Sequence, residues 1–269
     1  MIMLGLYASR WKLPKRLFKG PSYVGLDGKS LSWEVDEDKV NLRMQTYLMF
    51  PRKTVLDLFA GKGYLSWLYA KHGCEKLICV EKSEKYFKVL KENLSEFEGK
   101  CEIEFYNMDN LEFLEKNLSR DEPITHVDFD AYGSPAKQVK KFFENYQPKS
   151  FLLCFLTDGL IYNFRRLSNL NLREYYLQDF MVKHGKCRSI QHLGEYCQKI
   201  QENFMNIVAM THNLQSYPIY FKINSRKTAS YSCYLFLPKI VGNVDFKRYV
   251  GLKTVEPFPE KGKMVVEDG

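Results

Sequence analysis

From Thr54 onward, short apolar runs and amphipathic stretches take turns along the chain at regular intervals. "TVLDLFA" (54–60) is an apolar run that stops at Gly-Lys-Gly, and "YLSWLYAKHG" (64–73) has helical spacing closed by Gly73. "KLICVE" (76–81) predicts a second strand, and "SEKYFKVLKENL" (83–94) predicts a helix with Ser83 as its N-cap. "CEIEFYN" (101–107) alternates as a third strand and leads into a helix over 110–118. "THVDFD" (125–130), "PAKQVKKFFENY" (135–146) and "SFLLCFLTDG" (150–159) supply a fourth strand, its helix and a fifth strand. Alternation at this spacing predicts a parallel sheet covered by helices on both faces.

After Gly159 the rhythm changes. Two mostly helical stretches are expected, at 170–181 and 188–211, followed by strands "YPIYFKI" (217–223) and "ASYSCYLFLP" (229–238) around the polar link "NSRKT". So short a link joins antiparallel neighbours, because a parallel return needs a crossover. Five parallel strands closed by such a hairpin resemble the class I S-adenosylmethionine-dependent methyltransferases. The resemblance implies an α/β fold over residues 37–238, with a Rossmann-like, doubly wound seven-stranded sheet. The flanks show no repeat and weak periodicity. They are expected to be a basic and aromatic N-terminal arm (1–36) and a C-terminal extension (239–269) packed on that core.

Composition sets bounds. The 269 residues are 45% hydrophobic, enough for one large domain. Lys and Arg number 40 against 32 Asp and Glu, a net charge of +8. That balance permits a polyanionic partner without requiring one. The seven cysteines include no C-x-x-C pair, which points to reduced, buried thiols and no metal site. The opening "MIMLGLYASRW" is too short and too quickly basic for a signal peptide, and no apolar run is long enough to span a membrane. A soluble, cytoplasmic protein is expected; its oligomeric state is not legible.

The strand ends carry the candidate chemistry. In a doubly wound sheet, ligands lie beyond the carboxyl ends of the strands. Gly61 and Gly63 in "LDLFAGKGYLS" let the backbone turn tightly and approach a ligand, and Asp57 can attract the ammonium of a bound amino acid. A lone G-x-G is also compatible with a phosphate loop, and Lys62 between the glycines would suit one. Glu81, about 20 residues after the loop, stands where a carboxylate binds both ribose hydroxyls. Asp109 follows the third strand, where a side chain can reach an adenine amino group. Three acids at successive strand ends favour S-adenosylmethionine over a dinucleotide. Phe59, Lys82, Asn110 and Asp128 are expected to complete the cofactor site.

"VDFDAYGSP" (127–135) ends the fourth strand with two acids, an aromatic ring and a Gly-Ser-Pro turn. An exocyclic base amine is a poor nucleophile because its lone pair is delocalised into the ring. A carboxylate and a carbonyl that accept its two N–H bonds favour the tetrahedral nitrogen needed for attack. Asp130, the carbonyl of Ala131 and Tyr132 supply those acceptors and a stacking ring.

These residues carry a closer resemblance, to the catalytic domain of the tRNA guanine-N2 dimethyltransferases. "DFDAYGSP" is similar to that family's Asp-x-Asp-Pro-Phe-Gly-Ser-Pro motif, and "FLTDGL" (155–160) resembles its Thr-Asp-Gly segment. "KVNLRMQTYLMFPRKTVLDLFAGKGYLS" is similar to its entry into the first strand, where an Asn-Arg pair precedes the fold; Arg43 lies one residue further along, and the resemblance implies that it helps hold the cofactor. The resemblance covers residues 38–238 and implies methylation of a nucleobase amine, with tRNA or another RNA favoured and DNA possible. Ala131 in place of Pro leaves a free N–H and a looser φ. The family's second, tRNA-gripping domain is not expected within the residues that follow 238.

Candidate substrate contacts are Asp158 in the Thr-Asp-Gly segment, Arg165 and Arg166 after it, and Lys12, Lys15 and Arg16 in "SRWKLPKRLFKG" (9–20). That last stretch interleaves cations with Trp11 and Phe18, the usual parts of a nucleic-acid contact. Tyr162 and Phe164 are further candidates for the base pocket. A catalytically silent, nucleic-acid-binding fold is the competing reading.

Overall fold

The computed structural model describes residues 23–24, 30–31, 36–166, 172–177 and 190–239. Two short strands, β1 (Tyr23–Val24) and β2 (Ser30–Leu31), pair antiparallel ahead of the main fold. The chain then runs through α1 (Glu37–Leu48), β3 (Thr54–Asp57), α2 (Tyr64–Lys71), β4 (Lys76–Val80) and α3 (Glu84–Leu94). It continues through β5 (Glu102–Tyr106), α4 (Asn110–Lys116), β6 (Ile124–Asp130), α5 (Ala136–Asn145) and β7 (Leu152–Asp158). After α6 (Leu160–Arg166) come α7 (Ile190–Thr211) and the strands β8 (Leu214–Ile223) and β9 (Ser230–Pro238).

Seven strands form one sheet in the order β5-β4-β3-β6-β7-β9-β8. The first five are parallel, β9 runs antiparallel to β7, and β8 is antiparallel to β9. This is the doubly wound sheet with a terminal hairpin that the alternation predicted. The order reverses between β3 and β6, so the crevice beyond their carboxyl ends is the topological switch point.

Both faces of the sheet are buried, and strand alternation divides the apolar residues between them. Leu56, Ile78, Val127, Phe129, Cys154 and Leu156 pack in one cluster with α4, α5 and α7. Val55, Leu77, Cys79, Leu153 and Phe155 pack in the other, with α1 and α2. The same alternation places Asp128 and Asp130 together on the α1 face of β6, opposite Val127 and Phe129.

Three readings change with the structure. Helix α1 was not foreseen, because its buried face carries Arg43 and Thr46 beside Val40, Met44 and Tyr47 and so hides the apolar stripe. The segment expected as a helix over 170–181 holds, within its described part, a single 3-10 turn, Arg173–Tyr175. Strand β8 starts earlier than expected and carries Pro218 next to a register shift, which an edge strand tolerates. Among the described residues, no helix is long and apolar enough to cross a membrane.

Candidate active site at the carboxyl ends of the sheet

The loop after β3 turns on its glycines. Gly61 and Gly63 have φ of +55° and +87°, and a Cβ on Gly63 would come within 2.8 Å of Leu90 Cδ1. Only glycine meets both the backbone and the packing demand there. Asn93 of α3 braces the loop by donating to the Lys62 carbonyl at 2.8 Å.

Asp57 closes β3 but faces inward. Its Oδ1 accepts from the Phe59 amide at 3.2 Å and its Oδ2 from Ser66 Oγ at 2.6 Å. Burial, with the Asp128 charge nearby, pushes its carboxyl up to about 7. Its direct role is to hold the strand-to-helix turn. Glu81, half-buried, stands at the rim and accepts from the Gly61 amide at 2.9 Å and the Ser83 amide at 2.6 Å. Burial raises its carboxyl despite those two amides. Each oxygen keeps a second lone pair for an incoming hydroxyl.

Asp109 caps α4 through the Leu111 amide at 2.9 Å and pairs with Lys82 Nζ at 3.0 Å. Asn110 Nδ2 lies 3.4 Å from the Leu58 carbonyl, and Asn107 donates to the carbonyls of Glu81 and Lys82. Phe59 lies against the core cluster under this rim. The rim thus brings Gly61, Glu81, Lys82, Asp109 and Asn110 together as the sequence implied.

Asp128 and Arg43 do not belong to that rim. Both are fully buried, and Arg43 holds Asp128 in a two-point pair, Nε to Oδ2 at 2.9 Å and Nη2 to Oδ1 at 3.0 Å. Tyr69 donates to Asp128 Oδ2 at 2.6 Å. The expectation that these two residues touch a cofactor is corrected: they pair with each other beneath the crevice, with Arg43 Nη1 left without a hydrogen-bond partner among the described residues, because period-2 alternation turns Asp128 inward towards α1.

Asp130 lies at the crevice, with one-fifth of its side chain exposed. Lys39 Nζ donates to its Oδ2 at 2.7 Å, Thr157 Oγ1 to its Oδ1 at 2.5 Å, and Arg43 Nη2 stands 3.6 Å away. Burial opposes ionisation, but the Lys39 and Arg43 charges outweigh it and hold the carboxyl down at about 2. The Ala131 amide donates to the Phe129 carbonyl at 2.8 Å, so the free N–H that replaces the family's proline pins the turn instead of loosening it. Tyr132 is 94% exposed, its ring wholly presented to solvent.

Asp158 is also corrected. It is fully buried and accepts from the Leu160 amide, the Tyr175 hydroxyl and Gln201 Nε2, all within 2.9 Å. Burial raises its carboxyl to about 6 against the bonds from Tyr175 and Gln201. It anchors α6 and does not face substrate. Phe164 is core. Lys12, Lys15 and Arg16 lie outside the described residues, as do the side chains of Arg165 and Arg166.

Residues that the sequence did not single out complete the site: Lys39, Thr157, Ser66, Asn107 and Tyr175. The signal for Lys39 was its spacing, four before Arg43, which puts both cations on one face of a helix.

A family model described as "Conserved hypothetical protein 95" matches residues 37–148. Among curated proteins, the chain is similar to a tRNA(Phe) (4-demethylwyosine(37)-C(7)) aminocarboxypropyltransferase of Pyrococcus horikoshii. The two are 39% identical over 69 residues, which cover 26% of this chain and 25% of that protein. Among solved structures, Trm1 from Pyrococcus horikoshii in complex with S-adenosyl-L-methionine aligns with a TM-score of 0.60 at 14% identity, over 81% of this chain and 60% of that one. TYW2 from the same organism, in complex with MeSAdo, aligns with a TM-score of 0.52 at 15% identity, over 83% and 73% of the two chains. The fold is that of the class I methyltransferases.

Proposed function

We propose that the chain is an S-adenosylmethionine-dependent N-methyltransferase that acts on an exocyclic amine of a nucleobase, guanine N2 in tRNA or another RNA. The observation that carries this reading is the end of β6, where an ionised Asp130 and the Ala131 carbonyl stand beside a wholly exposed Tyr132 ring at the switch point.

The rim residues fit the cofactor. Glu81 keeps lone pairs for the ribose hydroxyls, Asp109 and Asn110 stand at the adenine end, and the Gly61–Gly63 loop has no Cβ to obstruct the amino-acid end. When bound, the cofactor supplies an electrophilic methyl group on its sulfonium. The chain's own residues do the rest: Tyr132 stacks on the base, and Asp130 and the Ala131 carbonyl accept the amine's two N–H bonds, turning its lone pair outward. Lys12, Lys15, Arg16, Arg165 and Arg166 are proposed as phosphate contacts.

The test uses cofactor labelled either in the methyl or in the carboxyl group, with separate tRNA, other RNA and DNA pools, followed by nucleoside analysis. Methyl label in N2-methylguanosine from an RNA pool supports the reading, provided that Asp130→Ala abolishes it. Carboxyl label in the nucleoside would instead indicate aminocarboxypropyl transfer, the reaction named for the curated relative. Methyl label confined to DNA would move the substrate. No transfer to any pool favours the silent fold.

A further inference from the structure

The first turn of α1 is tied to a single row of the sheet. Asp130, Thr157, Tyr231 and Lys222 are successive register partners across β6, β7, β9 and β8. Asp36, the N-cap of α1, accepts from the Tyr231 hydroxyl at 2.7 Å, Asp38 pairs with Lys222 at 3.2 Å, and Lys39 reaches Asp130 at 2.7 Å. One turn further on, Arg43 is locked onto Asp128 in the adjoining row. Helix register, not the freedom of a long side chain, therefore places the Lys39 ammonium on Asp130. Both groups are about four-fifths shielded from solvent, where an ion pair keeps its strength.

We propose that Lys39 is a positioning residue that keeps Asp130 a hydrogen-bond acceptor and prevents it from serving as the proton acceptor of the reaction. This inference rests on the base-amine reading above. The amine's lone pair forms the new N–C bond as the sulfur–methyl bond of the cofactor breaks, its electron pair staying on sulfur, and the nitrogen then carries the positive charge and still holds both of its protons. An alkylated aromatic amine in that state is acidic enough to pass its proton to water, so no basic side chain is required. Asp130 ends the cycle as it began, ionised and held by Lys39 and Thr157.

The groups that face Asp130 come from every neighbouring element. Lys39 and Arg43 come from α1, Asp128 from β6 and Asp57 from β3. Tyr220 of β8 and Tyr231 of β9 both have hydroxyls raised above the usual range by burial and stay neutral. Of these, Asp57 is pushed up to about 7 by burial, with the Asp128 and Asp130 charges adding to it, so its signal is followed beside that of Asp130. A shift of the Asp130 carboxyl signal itself between variants at position 39, read apart from that of Asp57, therefore reports on Asp130.

The experiment compares the full chain with Lys39→Met and Lys39→Arg. Carbon-13 labelling of Asp carboxyls, with Asp130→Asn for assignment, follows the Asp130 titration without any need for activity. In the wild type it should stay ionised down to pH 4. In Lys39→Met its midpoint should rise by about one unit or more, and Lys39→Arg should remain near wild type. In the transfer assay, Lys39→Met should gain an acid limb in kcat that follows its raised Asp130 midpoint, with KM changed less than kcat. Lys39→Arg should lack that limb. An Asp130 midpoint within about 0.3 units of wild type in Lys39→Met overturns the inference, and so does a raised midpoint with an unaltered kcat profile. A wild type that transfers no methyl group overturns the underlying reading, which the assay reveals separately from the titration.

Discussion

Gly159 donates its amide to the Gly133 carbonyl at 2.8 Å, and a Cβ on Gly159 would stand 3.2 Å from the Gly133 Cα. The loop that presents Tyr132 and the turn that buries Asp158 thus touch backbone to backbone. Gly159→Ala meets main chain, which cannot rotate away, so the two loops must part by a few tenths of an ångström. We expect kcat to fall about tenfold, the effect of a small misplacement in a positioned site, with cofactor affinity within a few-fold. Gly133→Ala meets no neighbour but must hold φ at +118°. It should lose about 1–2 kcal/mol of stability through backbone strain, visible as a Tm lowered by several degrees. Equal kcat in Gly159→Ala and wild type would show that this backbone approach does not set the loop.

Glu81→Ala should weaken S-adenosylmethionine binding by about ten- to a hundred-fold, the loss expected when charge-assisted hydrogen bonds are removed. Asp109→Ala should cost less affinity and, by uncapping α4, about 1 kcal/mol of stability. Titration calorimetry and thermal melts separate the two effects. Unchanged affinity in Glu81→Ala would remove that carboxylate from the site.

Tyr132 tests stacking cleanly, because an almost fully exposed ring contributes little to the fold. Tyr132→Phe should be mild and Tyr132→Ala should cost about 1–3 kcal/mol in kcat/KM, with Tm unchanged in both. A Tyr132→Ala variant as active as wild type would place the base elsewhere.

Replacing Lys12, Lys15 and Arg16 together by Ala should weaken RNA binding and flatten its salt dependence, the logarithmic slope falling by about one for each phosphate that is no longer neutralised. Cofactor affinity serves as the control. An unaltered slope would take these residues out of the RNA interface.

Asp57 and Asp158 are held above the ordinary carboxylate range, at about 7 and about 6. Between the unfolded value and the folded one, the native state binds the extra proton, so stability falls as pH rises through that window. The contribution of these two groups to melting temperature should therefore decline from pH 4 to pH 7 and level off above it, against the opposite contribution of buried His126, whose ring is pushed down to about 3. Asp57→Asn should flatten the upper part of the slope and raise Tm at pH 8. A Tm with the same pH dependence in Asp57→Asn as in the wild type would contradict the placement of Asp57.

The sheet was legible because four of its five parallel strands are short apolar runs ended by a glycine or an acid, and the hairpin because "NSRKT" is too short for a crossover. The rim was legible because strand ends are fixed points: Gly61, Glu81 and Asp109 lie where the alternation put them. Asp128 misled because its motif neighbour Asp130 does reach the crevice, and the sequence does not say which acid an unseen helix will cover. Asp158 misled for a related reason. Its partners Tyr175 and Gln201 are 17 and 43 residues away, and no local pattern announces them. Helix α1 was missed because its apolar stripe, Val40, Met44 and Tyr47, is interrupted on the same buried face by Arg43 and Thr46.

The 85 residues between Arg43 and Asp128, and the 91 between Lys39 and Asp130, give the central strand an unusual dependence. A strand with two carboxylates on its inner face cannot be dehydrated before its counter-charges arrive, and those lie on a helix made before any strand of the parallel sheet. Closing that loop and drying β6 are therefore one cooperative event, so a fragment that begins at Thr54 would carry every rim residue and still lack a stable centre. The helix that adjusts the charge of Asp130 is also the element without which the sheet cannot assemble, and selection on either role constrains the other.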